Sequence, residues 1–221
     1  MPEILDLPTV RLTHQVAFPR RFRRDAGTSL VGVPQRIGPG IKIWEVEIGI
    51  APDWEPARIK AFEAFIARID SSTIVRLPLF DAYGYGAARS PGQQAWSDGT
   101  WFSDGTGWVS PGVAPMVVAQ GAAAGGNTLW IRVTDPVIPT LTAGDYFSHD
   151  GFLYQVTARS ADGWVRFAPN ARRAIPVGAV LQTAPPYFCG YPADDDFGRR
   201  GRDLLSHAPA ITLSFVEAFD R

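Results

Sequence analysis

Few residues in this chain carry side chains that could do chemistry, and those few are scattered. The three histidines, His14, His149 and His207, lie far apart, and none stands in an HxH, HExxH or HxxE spacing. A metal site would have to be assembled in space, and scattered imidazoles read more simply as surface or capping residues. The single cysteine, Cys189, sits between Phe188 and Gly190. It could act as a nucleophile with a remote histidine, but an apolar, aromatic neighbourhood disfavours the thiolate and fits an inert buried thiol. Asp194-Asp195-Asp196 could gather calcium, yet a calcium loop alternates its oxygen ligands and closes on a distant glutamate, so a solvated turn is expected. Asp98 and Asp104 could form a glycosidase pair only if their carboxyls stood at the right separation, and each precedes a glycine, which marks a turn former. There is no Gly-x-Ser-x-Gly elbow, no Walker loop and no dinucleotide loop; Tyr83-Gly84-Tyr85-Gly86 lacks the helix that should follow it. The expectation is a protein that is not an enzyme, with no cofactor and no metal.

Two groups of residues suit binding better than catalysis. Arg20, Arg21, Arg23 and Arg24 fall within five positions. They are interface or channel candidates: a docking or phosphate-contacting patch in the sharper reading, a solvated loop or intersubunit salt-bridge surface in the plainer one. Trp96, Trp101 and Trp108 surround two Asp-Gly turns in the short repeat Trp-Ser-Asp-Gly-Thr and Phe-Ser-Asp-Gly-Thr. They are aromatic surface candidates for a sugar or peptide, against the plainer reading of a hairpin extension whose tryptophans pack on their own domain or a neighbouring subunit.

The elements that must position these residues are mostly strands. With 221 residues, 46% apolar and 12% aromatic, the chain can bury a real core. A net charge of −1 and an isoelectric point near 6.3 provide no basic field for nucleic acid and no acidic excess for a cationic partner. One cysteine excludes an intramolecular disulfide and a structural zinc site. The first residues lack a basic then apolar leader, and no window approaches a membrane span, so a soluble, unsecreted product without membrane insertion is expected. The organising stretch is Gly40 to Phe80. Trp44, Val46, Ile48 and Ile50 alternate as in a half-buried strand, and Ile41 and Ile43 break the phase, which predicts a bulge or a change of face near Trp44. Asp53-Trp54-Glu55-Pro56 opens a helix ending near Ile69-Asp70, with Ile59, Phe62, Phe65, Ile66 and Ile69 as its core stripe. Burying those five could contribute roughly 1.5–3 kcal/mol each. Thr73 to Phe80 reads as a strand in which Pro78 marks an edge or end.

Gly121-Ala122-Ala123-Ala124-Gly125-Gly126 reads as a linker or wide turn, followed by four or five short strands over about 55 residues, the pattern of a small barrel. Ile211, Leu213 and Phe215 alternate in a closing strand expected to rejoin the first sheet. The fold class expected is mainly β: a β-sandwich or sheet with one amphipathic helix packed on it, plus an inserted small β-barrel of the OB- or SH3-like kind. The expected divisions are 1–82 with 205–221 as the sheet-plus-helix domain, 83–126 as a Trp/Gly-rich extension and linker, and 127–204 as the barrel and return segment.

This organisation, with Leu141-Thr142-Ala143-Gly144-Asp145, Gly151-Phe152-Leu153-Tyr154-Gln155-Val156, Phe167-Ala168-Pro169 and Ile175-Pro176-Val177-Gly178-Ala179, resembles the distal tail proteins of long-tailed bacteriophages and gene transfer agents. The resemblance covers most of residues 8–80 and 127–221 and leaves the Trp-rich 83–120 segment aside. It implies a structural virion protein forming a homohexameric ring at the tail tip. The implied partners are the tail tube protein and the baseplate hub protein; DNA would only pass through the channel. Assembly would take place in the host cytoplasm. A tail-tube or tail-completion protein, a carbohydrate-binding module for host glycan, and a glycan hydrolase are the alternatives.

Overall fold

The computed structural model describes residues 2–21, 24–28, 34–37, 42–70, 72–80, 93–94, 108–109, 116–132, 141–194, 197–199 and 207–219. In chain order the elements are β1 (Ile4–Asp6), β2 (Leu12–Arg21), β3 (Arg24–Thr28), β4 (Pro34–Ile37), β5 (Lys42–Ile50), α1 (Pro56–Arg68), β6 (Ile74–Pro78), β7 (Gln93–Gln94), β8 (Trp108–Val109), β9 (Met116–Gln120), β10 (Thr128–Ile131), β11 (Tyr146–His149), β12 (Phe152–Arg159), β13 (Trp164–Ala168), β14 (Val180–Leu181), β15 (Tyr187–Pro192) and β16 (Ile211–Glu217). The fold is mainly β, with one helix among the described residues. The chain divides into two compact units, Met1–Pro78 with Phe188–Arg221, and Leu79–Tyr187.

The first unit is built on a six-stranded sheet in the order β1-β6-β15-β16-β5-β2. Trp44, Val46, Ile48 and Ile50 of β5 are buried, as the alternation predicts, and Leu213 and Phe215 of β16 lie opposite Ile48 and Val46. The helix begins at Pro56, where a missing N–H costs nothing, and ends with Arg68 beside its carbonyl terminus. Only Phe62 and Phe65 of its five-residue stripe are fully buried; Ile59, Ile66 and Ile69 are half-covered, so the expected gain from all five is too large. Ile66 packs against Gly198, whose φ of 73° and lack of a side chain make room for it.

The second unit carries the sheet β11-β12-β13-β10-β9-β14. Ser148 of β11 and Gln182 exchange backbone hydrogen bonds of 2.8 and 2.9 Å, which brings the two ends of this sheet together into a nearly closed barrel. Its largely aliphatic interior holds a group of aromatic rings. The Phe147 and Tyr154 rings stack at 5.3 Å, and Phe167 meets both edge-on at 5.5 and 5.2 Å.

Several expectations are corrected. The register of β2 on β5 runs without interruption past Trp44, and the irregularity lies at Leu12/His14 instead. Ile43 simply occupies the other face of the strand; Ile41 lies outside the described residues. Asp53 and Glu55 precede the helix rather than forming its first turn. Met116–Gln120, expected in the extension, is a barrel strand. Of the two readings of the Gly/Ala run, the turn holds and the linker does not: residues 124 and 125 form an exposed turn, while Ala122 is buried and bridges Ile175, and a side chain on Gly121 would collide with the Ile175 carbonyl. Tyr187–Pro192, expected in a polar return segment, is a strand of the first sheet.

Candidate interaction surface

Among the described residues, those singled out for chemistry are not brought together. His14 lies on β2 with Nδ1 3.2 Å from Thr13 Oγ1 and Nε2 3.4 Å from Glu47 Oε1. Nearly half of each of the His14 and Glu47 side chains is solvated, so the pairing is screened and weak. His149 ends β11, and His207 stacks on Trp54 at 6.1 Å. Cys189 is buried in β15 beside Ile74 and Ala218. Asp194 is exposed; Asp195, Asp196, Asp98 and Asp104 lie outside the described residues. Among the described residues no three His, Cys, Asp or Glu side chains converge as a metal would require. Among the described residues no helix is long and apolar enough to cross a membrane.

The arginine cluster proves to straddle two strands. Arg20 and Arg21 end β2, and Arg24 opens β3. Arg20 donates to Glu45 Oε1 on the neighbouring strand at 2.6 Å. Arg23 and the side chains of Arg21 and Arg24 lie outside the described residues, as do Trp96, Trp101 and the side chain of Trp108.

What stands out around Arg20 is its strand. β2 runs ten residues at one end of the sheet, with β5 its only strand neighbour among the described residues. Val16 and Phe18, at 47% and 42% exposure, pair in register with Glu47 and Glu45. The same face thus carries apolar side chains and ion pairs in rows. A long terminal strand with exposed Val and Phe invites pairing or coverage by another chain. The alternation of Val16 and Phe18 with Gln15 and Ala17 predicts that the two share a face; that this face is exposed is seen only in the structure.

A buried clamp holds the approach to the helix. Asp53 accepts from Arg58 Nε at 2.7 Å and Nη2 at 2.9 Å, and from the Glu55 N–H at 3.0 Å. Its backbone exchanges hydrogen bonds of 3.0 and 2.8 Å with Ala208, so one residue ties the helix start to the chain leading into β16. The Arg58 guanidinium, helped by the Glu55 N–H, holds the Asp53 carboxyl well below its usual 3.8. A carboxyl with a depressed folded-state pKa stabilises fully above its unfolded value and loses that contribution as pH falls towards the folded one. Asp53→Asn is therefore expected to cost about 1–2 kcal/mol near neutrality. Urea titrations should show this gap closing below about pH 4. A gap that stays constant into acid would mean that the charge is not responsible.

No family model matches the chain, and no curated protein matches its sequence.

Proposed function

We propose that this chain is a structural virion protein, a distal tail protein whose sheet-and-helix unit forms a hexameric ring between tail tube and baseplate hub. The observation that carries the reading is the ten-residue terminal strand β2 with Val16 and Phe18 exposed, a surface suited to a neighbouring copy. The order of elements along the chain and the resemblance of residues 8–80 and 127–221 add to it. In such a ring the Arg20 to Arg24 cluster would recur six times, facing acidic groups of a neighbour or the DNA channel. The tail tube and the hub are its axial partners in this reading.

Light scattering of the purified chain over a range of concentrations, with negative-stain imaging of the same sample, tests it. A ring of six, or of three stacking into sixes, is expected. Val16→Lys with Phe18→Lys should reduce it to single chains while leaving the melting temperature within a few degrees, because both side chains are largely exposed and each new ammonium faces a glutamate across the strand pair. Rings that survive this double change would place the contact elsewhere. A strict monomer at every concentration would turn the reading toward a surface-binding module.

A further inference from the structure

Strands β10 and β13 of the barrel set Trp130 and Trp164 directly opposite one another. Ladder bonds fall on the adjacent row, Ile131 N–H to the Gly163 carbonyl at 3.2 Å, and three rows the other way, Phe167 N–H to the Asn127 carbonyl at 2.9 Å, so bonded rows alternate in that phase. The tryptophan row is therefore one without backbone bonds of its own, where facing side chains stand closest. Leu129 and Val165, the next residues along, are buried in the barrel, so both indoles belong to its outer face. Trp164 is 41% exposed. Trp130 is held in place: its Nε1–H donates to the Asp162 carbonyl at 2.5 Å, and its pyrrole edge lies over Gly163, where a side chain would collide with it. A fixed indole and an exposed one thus stand side by side on the outer face of the barrel.

Charge completes the face. Thr128 and Arg166 form the next row in one direction, and Arg132 continues β10 in the other, its N–H on the Val117 carbonyl at 3.3 Å. Arg20, Arg58, Arg68, Arg76 and Arg173 each meet a carboxylate. Arg132 and Arg166 are exposed, and neither has an ion-pair partner among the described residues. They stand two residues beyond the tryptophans on opposite flanks, roughly 13 Å apart along the strands at 3.4 Å per residue.

We infer that this face binds an acidic polysaccharide bearing carboxylates, with sugar rings on Trp130 and Trp164 and carboxylates on Arg132 and Arg166. The electron-rich indole face attracts the polarised C–H groups on the apolar side of a pyranose. The guanidinium fork matches a carboxylate with two parallel hydrogen bonds. Two cations on opposite flanks of the platform select a polymer with repeated acidic groups over a singly charged sugar. Single-stranded nucleic acid would stack as readily, but it needs a continuous positive groove along its backbone, and here Asp162 adjoins the platform in a chain of net charge −1. The inference is independent of the ring reading.

Affinity electrophoresis of the full chain in native gels tests it, with polygalacturonate, neutral galactan, polyglycerol-phosphate teichoic acid or poly(dT) in the gel. Retardation by polygalacturonate alone is expected. Trp164→Ala and the double change Arg132→Ala, Arg166→Ala should each weaken it at least about tenfold, as loss of a central aromatic or cationic anchor does, with unchanged melting temperatures. Lys60→Ala, on the helix of the other unit, should leave it unaltered. Wild-type retardation by Trp164→Ala would reduce the effect to charge attraction and overturn the site. Equal retardation in neutral galactan, preference for teichoic acid or poly(dT), or no retardation in polygalacturonate would overturn it as well.

Discussion

Replacing Phe167 with alanine is expected to lower stability by about 3–5 kcal/mol, the upper range for removing a buried aromatic. The ring is 1% exposed and meets both Phe147 and Tyr154 edge-on while those two stack on each other. Removing it leaves a void bounded by two aromatic rings. Tyr154 cannot readily swing into that void, because its hydroxyl accepts the Arg172 N–H at 3.1 Å. Phe147 and Tyr154 are also fixed by their own register, opposite each other on β11 and β12. The cavity therefore stays open, and its cost adds to the lost transfer free energy. Phe167→Leu, which keeps most of the volume, should cost no more than about 1.5 kcal/mol. Urea midpoints at constant slope measure both changes. If alanine and leucine behaved alike, the aromatic trio would not be the centre of the barrel.

The fold was legible where one periodicity dominated a stretch. In β5, Trp44, Val46, Ile48 and Ile50 alternate and all are buried. In α1, the three- and four-residue apolar steps revealed its existence and its end to within a residue or two, and its start to within about three. Tyr187–Pro192 was illegible for a physical reason. Its middle residues Phe188, Cys189 and Gly190 are all buried, so the strand shows no alternation, and prolines at 185, 186 and 192 frame it like a loop. The Gly/Ala run at 121–126 was legible only in part. Its turn follows from Gly125, which takes a φ of 81°, but the small residue at 121 is required by the close approach of the Ile175 carbonyl, which no local pattern shows. The candidate surfaces were less legible still. Trp130 and Trp164 are 34 residues apart in the chain and meet only through strand pairing. The burial of a phenylalanine such as Phe62 can be read from helix period, but the exposure of Phe18 follows from β2 lying at the end of its sheet. Composition does not reveal that position.

Glu217 is a second place, besides Asp53, where buried polarity in the first unit bears on stability. Its side chain is 3% exposed, an unusual position for a carboxylate, and Oε2 accepts the Trp44 N–H at 3.0 Å. The pairing of β16 on β5 is recorded from Ile211↔Ile50 to Val216↔Glu45, and the next row would bring residue 217 opposite Trp44. There a carboxylate oxygen receives the N–H that a ladder carbonyl would otherwise take. The buried Trp44, itself 1% exposed, thus has its backbone donor satisfied by a side chain from the far end of the chain. Glu217→Ala would leave that donor unpaired beside a void, at a cost of about 1–3 kcal/mol for the donor alone. Glu217→Gln retains an oxygen of the same reach and should recover most of the loss. Glu217→Leu fills the volume without an acceptor, so it separates packing from hydrogen bonding. If leucine matched glutamine, the void would account for the effect; if leucine matched alanine, the unpaired Trp44 N–H would. The second outcome is expected, because a buried amide with no partner is penalised however well its surroundings are packed.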